Sequence, residues 1–184
     1  SAFEKVVDGC IEQHGQSWLW PPMRQALSSV FRRGADNSKA EGTATLHSIE
    51  LWAEGSDEPV AGELGVACGS MYTSLTGFRR GDGTGTVQLL ALAGLLIRSG
   101  FQCWDLGMHM EYKSHLGAEE IDRRDFVALQ QSLRAQGSQL GVALPRAPSA
   151  SDWPAAELIA CIARAKASSA DSARESAGAA MTTD

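Results

Sequence analysis

By type and spacing, the residues best suited to chemistry are those of Arg80-Gly81-Asp82-Gly83-Thr84-Gly85, which follow a strand-like segment and open a helix-like one. Exposed amides and the helix dipole at such a junction favour an anionic group. Gly83 and Gly85 let the main chain approach that anion closely, Thr84 or Thr86 adds a hydroxyl donor, and Arg80 adds charge. A phosphate-bearing ligand fits this pattern, and so does a glycine-rich turn with no ligand. Asp105 stands at the end of a short apolar segment, where strands of α/β proteins commonly open into a cleft, and His109 follows four residues later with a near-neutral reference pKa. Together they could accept and pass a proton; a loop-capping carboxylate and a solvated turn histidine explain the same residues without chemistry. His14, His47 and His115 show no ligand spacing, and Cys10, Cys68, Cys103 and Cys161 form no CxxC pair, so neither a metal site nor a disulfide framework is expected.

The elements that would position these residues follow from hydrophobic period. Phe3, Val6, Val7, Cys10 and Ile11 have helical spacing, with Gly15 as the interruption, and a second helix opens at Pro21-Pro22 and carries Met23, Leu27, Val30 and Phe31 toward a stop at Gly34. The polar stretch 35–42 reads as a loop. Segments 43–54, 60–68 and 71–78 alternate as strands, with a turn at 55–59 and a tight connection at Gly69-Ser70, which predicts three antiparallel strands in series. The all-round apolar run 86–99 predicts a buried helix ended by Gly100, followed by a short buried strand at 101–106, a helical turn at 111–116 and an amphipathic helix at 123–136. From Gly137 the composition shifts to Ala, Ser and Pro, with one helix expected at 153–166 and a disordered end beyond Ser168.

The chain has 184 residues, 43% of them hydrophobic, enough for one sizeable core and too few for two. One domain at 1–137 and an Ala/Ser-rich extension at 138–184, partly helical or disordered, are therefore expected. A net charge of −6 excludes a surface that is basic throughout, while Arg79, Arg80, Arg123 and Arg124 could still form a local basic rim. The most apolar run is too short to span hydrocarbon, and no secretory pattern opens the chain, so a cytoplasmic protein with no membrane partner is expected.

Two resemblances refine this reading. The RxxGxG spacing of Arg80 to Gly85, followed by a long apolar helix, resembles the pyrophosphate loop of acetyl-CoA-dependent N-acetyltransferases. Four ordered runs cover more of the chain: Ser17-Trp18-Leu19 with Met23, Ala26 and Gly34; His47-Ser48-Ile49-Glu50-Leu51-Trp52; Val60 to Gly69; and Leu116-Gly117-Ala118-Glu119-Glu120-Ile121-Asp122-Arg123-Arg124-Asp125-Phe126. Together these resemble the catalytic domain of leucyl/phenylalanyl-tRNA–protein transferases from about Phe3 to Leu133. The resemblance implies an α/β (α+β), GNAT-like fold with a mixed, mainly antiparallel sheet flanked by helices. It also implies transfer of an aminoacyl group, Leu or Phe in the family, from the 3′ end of an aminoacyl-tRNA to a protein or peptide N-terminus. No cofactor is implied beyond the donor. Trp52, Glu63, Tyr72 and Leu89 would then line the adenosine or acyl pocket, and the family's small N-terminal β-domain is expected to be missing from this chain.

The sequence departs from the family at chemically important places. The catalytic glutamine position is Gly107 and the asparagine position Met110, whereas Asp105 keeps the aspartate; a family glutamate corresponds to Leu75, and two pocket methionines correspond to Glu63 and Gly77. Glycine cannot relay a proton, so His109 is a candidate replacement. A carboxylate in an apolar acyl pocket is costly unless it meets a hydrogen-bonding or cationic group. Either Glu63 turns away or the acyl group is not apolar. Three readings remain open: an aminoacyl-tRNA–protein transferase homologue, an acetyl-CoA-dependent N-acetyltransferase, and a non-catalytic binding module. An open cleft between the strands ending near Phe78 and Asp105 suits the enzymes, and one filled by Trp104 or Met110 suits the module.

Overall fold

The protein's structure, a computed structural model, describes residues 2–16, 18–36, 44–135 and 153–166. Two helices come first, α1 (Phe3–His14) and α2 (Pro21–Asp36), followed by strands β1 (Thr45–Trp52), β2 (Pro59–Cys68) and β3 (Met71–Arg79). Then come α3 (Thr84–Arg98), β4 (Cys103–Asp105), α4 (Glu111–His115) and α5 (Arg123–Ala135), with a further helix over 155–166. The α2 backbone runs past Gly34, since a single glycine costs a helix only about 1 kcal/mol and does not stop it unaided. The stretches 37–43, 136–152 and 167–184, which include most of the expected loop at 35–42 and the disordered-looking end, lie outside the described residues.

The sheet order is β1-β2-β3-β4: the first three strands are antiparallel, as their hairpin spacing predicts, and β4 is parallel to β3. Helix α3 makes the crossover that a parallel pair requires. This parallel pair is brief, with Met71 opposite Cys103, Tyr72 opposite Trp104 and Thr73 opposite Asp105. From Ser74 onward that edge of β3 has no strand neighbour among the described residues. Side chains from the end of α1 cover part of it: the Arg79 amide donates to Gln13 Oε1 at 2.8 Å, and His14 Nε2 lies 2.7 Å from the Gly77 carbonyl oxygen.

Each face of the sheet has its own core. One gathers Phe3, Val6, Val7 and Cys10 of α1 with Leu46, Leu64 and Phe78; the other gathers Ala91, Leu92, Leu95 and Leu96 of α3 with Tyr72, Ala67 and Leu158. A β-bulge decides which residues face α3. Gly65 pairs with Ser74 but Leu64 pairs with Thr76, so Leu75 is an extra residue on β3 and the in/out alternation shifts after it.

Leu158 carries the 155–166 helix into the second core, and the approach is close enough to need glycine at Gly94, where a Cβ would lie 1.9 Å from the Leu158 carbonyl oxygen. Arg98 of α3 also stacks on Trp153, 4.1 Å from its ring centre. Gly94→Ala is therefore expected to push this helix off α3 and to raise protease cleavage within 155–166 about tenfold or more, as overpacking of 1–3 kcal/mol implies. Unchanged cleavage would mean that the helix is not held there. None of the described helices is long and apolar enough to cross a membrane.

Candidate functional site

Glu63 on β2 points toward α3 and is only 3% exposed. Its Oε1 accepts from the Tyr72 hydroxyl at 3.1 Å and from Ser74 Oγ at 2.8 Å, and Ser74 Oγ in turn accepts from the Trp104 indole N–H at 2.9 Å. One hydrogen-bonded chain thus ties β2, β3 and β4 together where the parallel pair ends. Gln88 of α3, 5% exposed, lies beside the carboxyl with its amide turned toward it. Burial pushes the Glu63 pKa up to about 7, against the opposing pull of the Ser74, Tyr72 and Gln88 dipoles. Burial and the adjacent carboxyl together hold the Tyr72 phenol well above its ordinary value. Tyr112 at the start of α4 is half exposed, and its phenol is raised first by partial burial and then by the charge of Glu63.

The local sequence explains the arrangement. Gly65 leaves the space that the Tyr72 ring crosses, since a Cβ there would lie 2.1 Å from the Tyr72 hydroxyl. Gly77 stands opposite Glu63 in register, and a Cβ on it would come within 3.0 Å of the Gly62 carbonyl oxygen and 3.2 Å of Glu63 Cβ. The two departures at pocket positions noticed in the sequence, Glu63 and Gly77, are thus cross-strand partners. Gln88 follows Thr84 by one helical turn, which puts both on the α3 face that meets β2. Thr84 Oγ1 accordingly reaches the Val60 carbonyl at 3.3 Å.

The glycine loop packs tightly around its own groups. Thr84 Oγ1 also donates to the Gly81 carbonyl at 2.8 Å, and Gly83 takes the left-handed conformation, φ 77°, that begins α3. Arg80 is paired with Glu12 and Glu58 at 3.5 and 3.6 Å and stacks on Phe78, while Arg79 pairs with Asp82. A groove of about 310 Å³ beside the loop is lined by Gly9, Glu12, Gln13, Phe78, Arg79 and Arg80. Gly85 packs on the Arg79 side chain, and Thr86 is exposed.

Not all the residues singled out from sequence meet. Glu63 and Tyr72 do, with half-buried Leu89 one position after Gln88 on α3. Trp52 stands on the other sheet face, 43% exposed, with Lys5 of α1 5.5 Å from its ring centre. Asp105 Oδ1 accepts from the Gly107 amide at 2.8 Å, and His109 Nδ1 lies 2.9 Å from Glu120 Oε1, so the two engage different partners. Trp104 spans the place where β3 and β4 part, whereas Met110 is exposed. Cys10 is buried and its thiol pushed up to about 11, chiefly by burial; the other three free thiols are half-buried. Sequence reading missed Ser74 and Gln88 as members of the cluster. A lone glutamine inside the apolar run of α3 was the available signal for Gln88.

Fold and cluster together define a mixed α/β domain whose polar centre is a buried carboxyl at the end of a parallel strand pair. Residues 1–131 match the model of a family described as leucyl/phenylalanyl-tRNA protein transferase, and the chain belongs to that family. It is 34% identical over 132 residues to a leucyl/phenylalanyl-tRNA–protein transferase of Syntrophobacter fumaroxidans, covering 70% of this chain and 51% of that protein. Those of Teredinibacter turnerae and Nitrosomonas eutropha are 32% and 31% identical, covering 70% and 76% of this chain and 47% and 56% of theirs. The chain thus spans about half the length of the curated relatives it matches.

Proposed function

We propose that residues 1–137 form an acyltransferase domain of GNAT-like fold that moves an aminoacyl group from the 3′ end of an aminoacyl-tRNA to the N-terminal amine of a protein, in the cytoplasm. The observation that carries this reading is the family match over residues 1–131, which includes the whole sheet. In the reaction the amine attacks the ester carbonyl, a C–N bond forms, the bond to the ribose oxygen breaks, and a proton passes from the amine to that oxygen. Asp105, at the end of β4, is the candidate for orienting the groups that handle that proton, with His109 nearby in sequence. Arg80, Gly83, Thr84, Gly85 and Thr86 are the candidates for holding donor phosphate, and Trp52 for the terminal adenosine. The brief parallel β3–β4 pair joined through α3 supports the fold assignment. Residues 138–184 are proposed as an extension that returns its 155–166 helix to α3.

A second reading, a module that binds the donor without transferring it, is favoured by Trp104 lying across the strand pair and by Gly107 and Met110 at family catalytic positions. Thermal-shift titration tests the first point, because a ligand that binds only the folded chain raises its melting temperature. A non-hydrolysable phenylalanyl-adenosine analogue is expected to raise it, and acetyl-CoA is not. Stabilisation by acetyl-CoA alone would overturn the aminoacyl reading. Binding of the analogue without transfer of labelled amino acid from aminoacyl-tRNA to a peptide would leave the module.

A further inference from the structure

We infer that the edge of β3 over residues 77–79 takes an extended polypeptide as an added parallel strand, and that this polypeptide is the N-terminal segment of the acceptor protein. The choice of occupant rests on the transfer reaction proposed above, whereas the strand site rests on the edge itself. Past Thr73 this edge has no strand neighbour among the described residues. The Arg80 amide turns to the Val60 carbonyl of β2 at 2.8 Å, and the alternation of a strand then turns the main-chain groups of Gly77 and Arg79 away from β2. Both of these outward groups are met by side chains: the Arg79 amide donates to Gln13 Oε1 at 2.8 Å, and His14 Nε2 stands 2.7 Å from the Gly77 carbonyl oxygen.

The Gly77 carbonyl and the Arg79 amide are the pair that one residue of a parallel strand, placed opposite Phe78, engages through its own N–H and C=O. The imidazole N–H and the glutamine carbonyl imitate those two groups. Gln13 and His14 are exposed and stand at the end of α1, which Gly15 closes, so both side chains can turn aside without disturbing either core. The groove of about 310 Å³ lined by Gln13, Phe78 and Arg79 gives the incoming chain room beside them. Direction selects the occupant. β4 runs parallel to β3 and ends at Asp105, opposite Thr73. A strand added farther along the same edge in the same sense turns its N-terminus toward that end, and the amine about four residues before the one opposite Phe78 comes beside Asp105. An antiparallel strand would bring a C-terminus there instead. Main-chain bonds supply the affinity in strand addition, so the site accepts many sequences that share a free N-terminus.

The test uses the full chain and a hexapeptide with a free N-terminus, beside two versions of it N-methylated at one or the other alternate set of residues, with dissociation constants measured by calorimetry. Methylation of the set whose N–H groups face β3 is expected to weaken binding about tenfold or more, and methylation of the other set to leave it unchanged. The double variant Gln13→Ala, His14→Ala has no side chains to displace. It is expected to bind the unmodified peptide about threefold more tightly than the wild type, and the peptide is expected to slow hydrogen exchange at its uncovered Arg79 amide. Equal binding of the three peptides, weaker binding by the double variant, or no binding at all would overturn the inference. Transfer of labelled amino acid from aminoacyl-tRNA to the hexapeptide is measured on the same samples. Transfer without the alternating methylation pattern would overturn the strand site and leave the transferase reading in place. The pattern without transfer would sink the transferase reading, and with it the assignment of the strand to an acceptor.

Discussion

Replacing Gly65 with alanine is expected to destabilise the domain by about 4 kcal/mol, a large part of the 5–15 kcal/mol that holds a typical domain folded. The new Cβ would fall 2.1 Å from the Tyr72 hydroxyl and 2.3 Å from its Cζ, so the ring has to leave. Tyr72 is fully buried between the sheet and α3 and meets Phe101 edge-on at 6.1 Å, which leaves it no free space to enter. Displacing it also removes one of the two hydroxyls that donate to Glu63 Oε1, leaving Ser74 as the other. Urea denaturation of the wild type, Gly65→Ala, Tyr72→Leu and the double variant checks the mechanism. If the clash is the cause, the double variant is less destabilised than the two single losses added together. Strict additivity would show that alanine acts elsewhere.

The second large effect concerns pH. Glu63 has a folded-state pKa of about 7, against an ordinary value of 4.5. Because the native state holds this proton more tightly than the unfolded chain, the stability linked to it is fully present below pH 4.5. It is lost as pH rises through about 7. The shift corresponds to about 3 kcal/mol between these limits, since each unit is worth about 1.4 kcal/mol. Glu63→Gln cannot ionise and keeps the shape, so the stability of this variant relative to wild type is expected to rise by that amount from pH 4.5 to pH 8. Urea midpoints of both proteins at several pH values give the difference directly. A difference that stays flat across this range would show that Glu63 does not titrate there.

These two effects involve one small cluster, and its parts were legible in the sequence to different degrees. The strand character of 60–68 and 71–78, the tight Gly69-Ser70 connection and the buried run of α3 all come from local pattern, and the structure has each of them. Glu63 stood out only because a carboxylate sat where the family resemblance implied an apolar residue. Nothing in its neighbours in sequence told which way it pointed or what it met. Asp105 and His109 suggested a pair by proximity along the chain, but Asp105 caps the Gly107 amide and His109 pairs with Glu120. Short-range spacing is a poor guide in a loop, where no fixed period sets the direction of successive side chains.

The sequence by itself determined the elements and their order, because hydrophobic period, turn chemistry and glycine placement act over a few residues, and those interactions survive in any context. It also determined the family, through four ordered runs that a model spanning residues 1–131 matches. Only the tertiary structure decided which residues share a site. The extra residue at Leu75 resets the alternation of β3, so that Ser74 and Gly77 both face the side of the sheet where Glu63 lies. The β1–β2 register and the packing of α1 leave Trp52 on the opposite face, beside Lys5. The parallel placement of β4 brings Trp104 to Ser74 across 30 residues of chain. Register and crossover are settled by pairing between distant segments, and no local pattern encodes that choice.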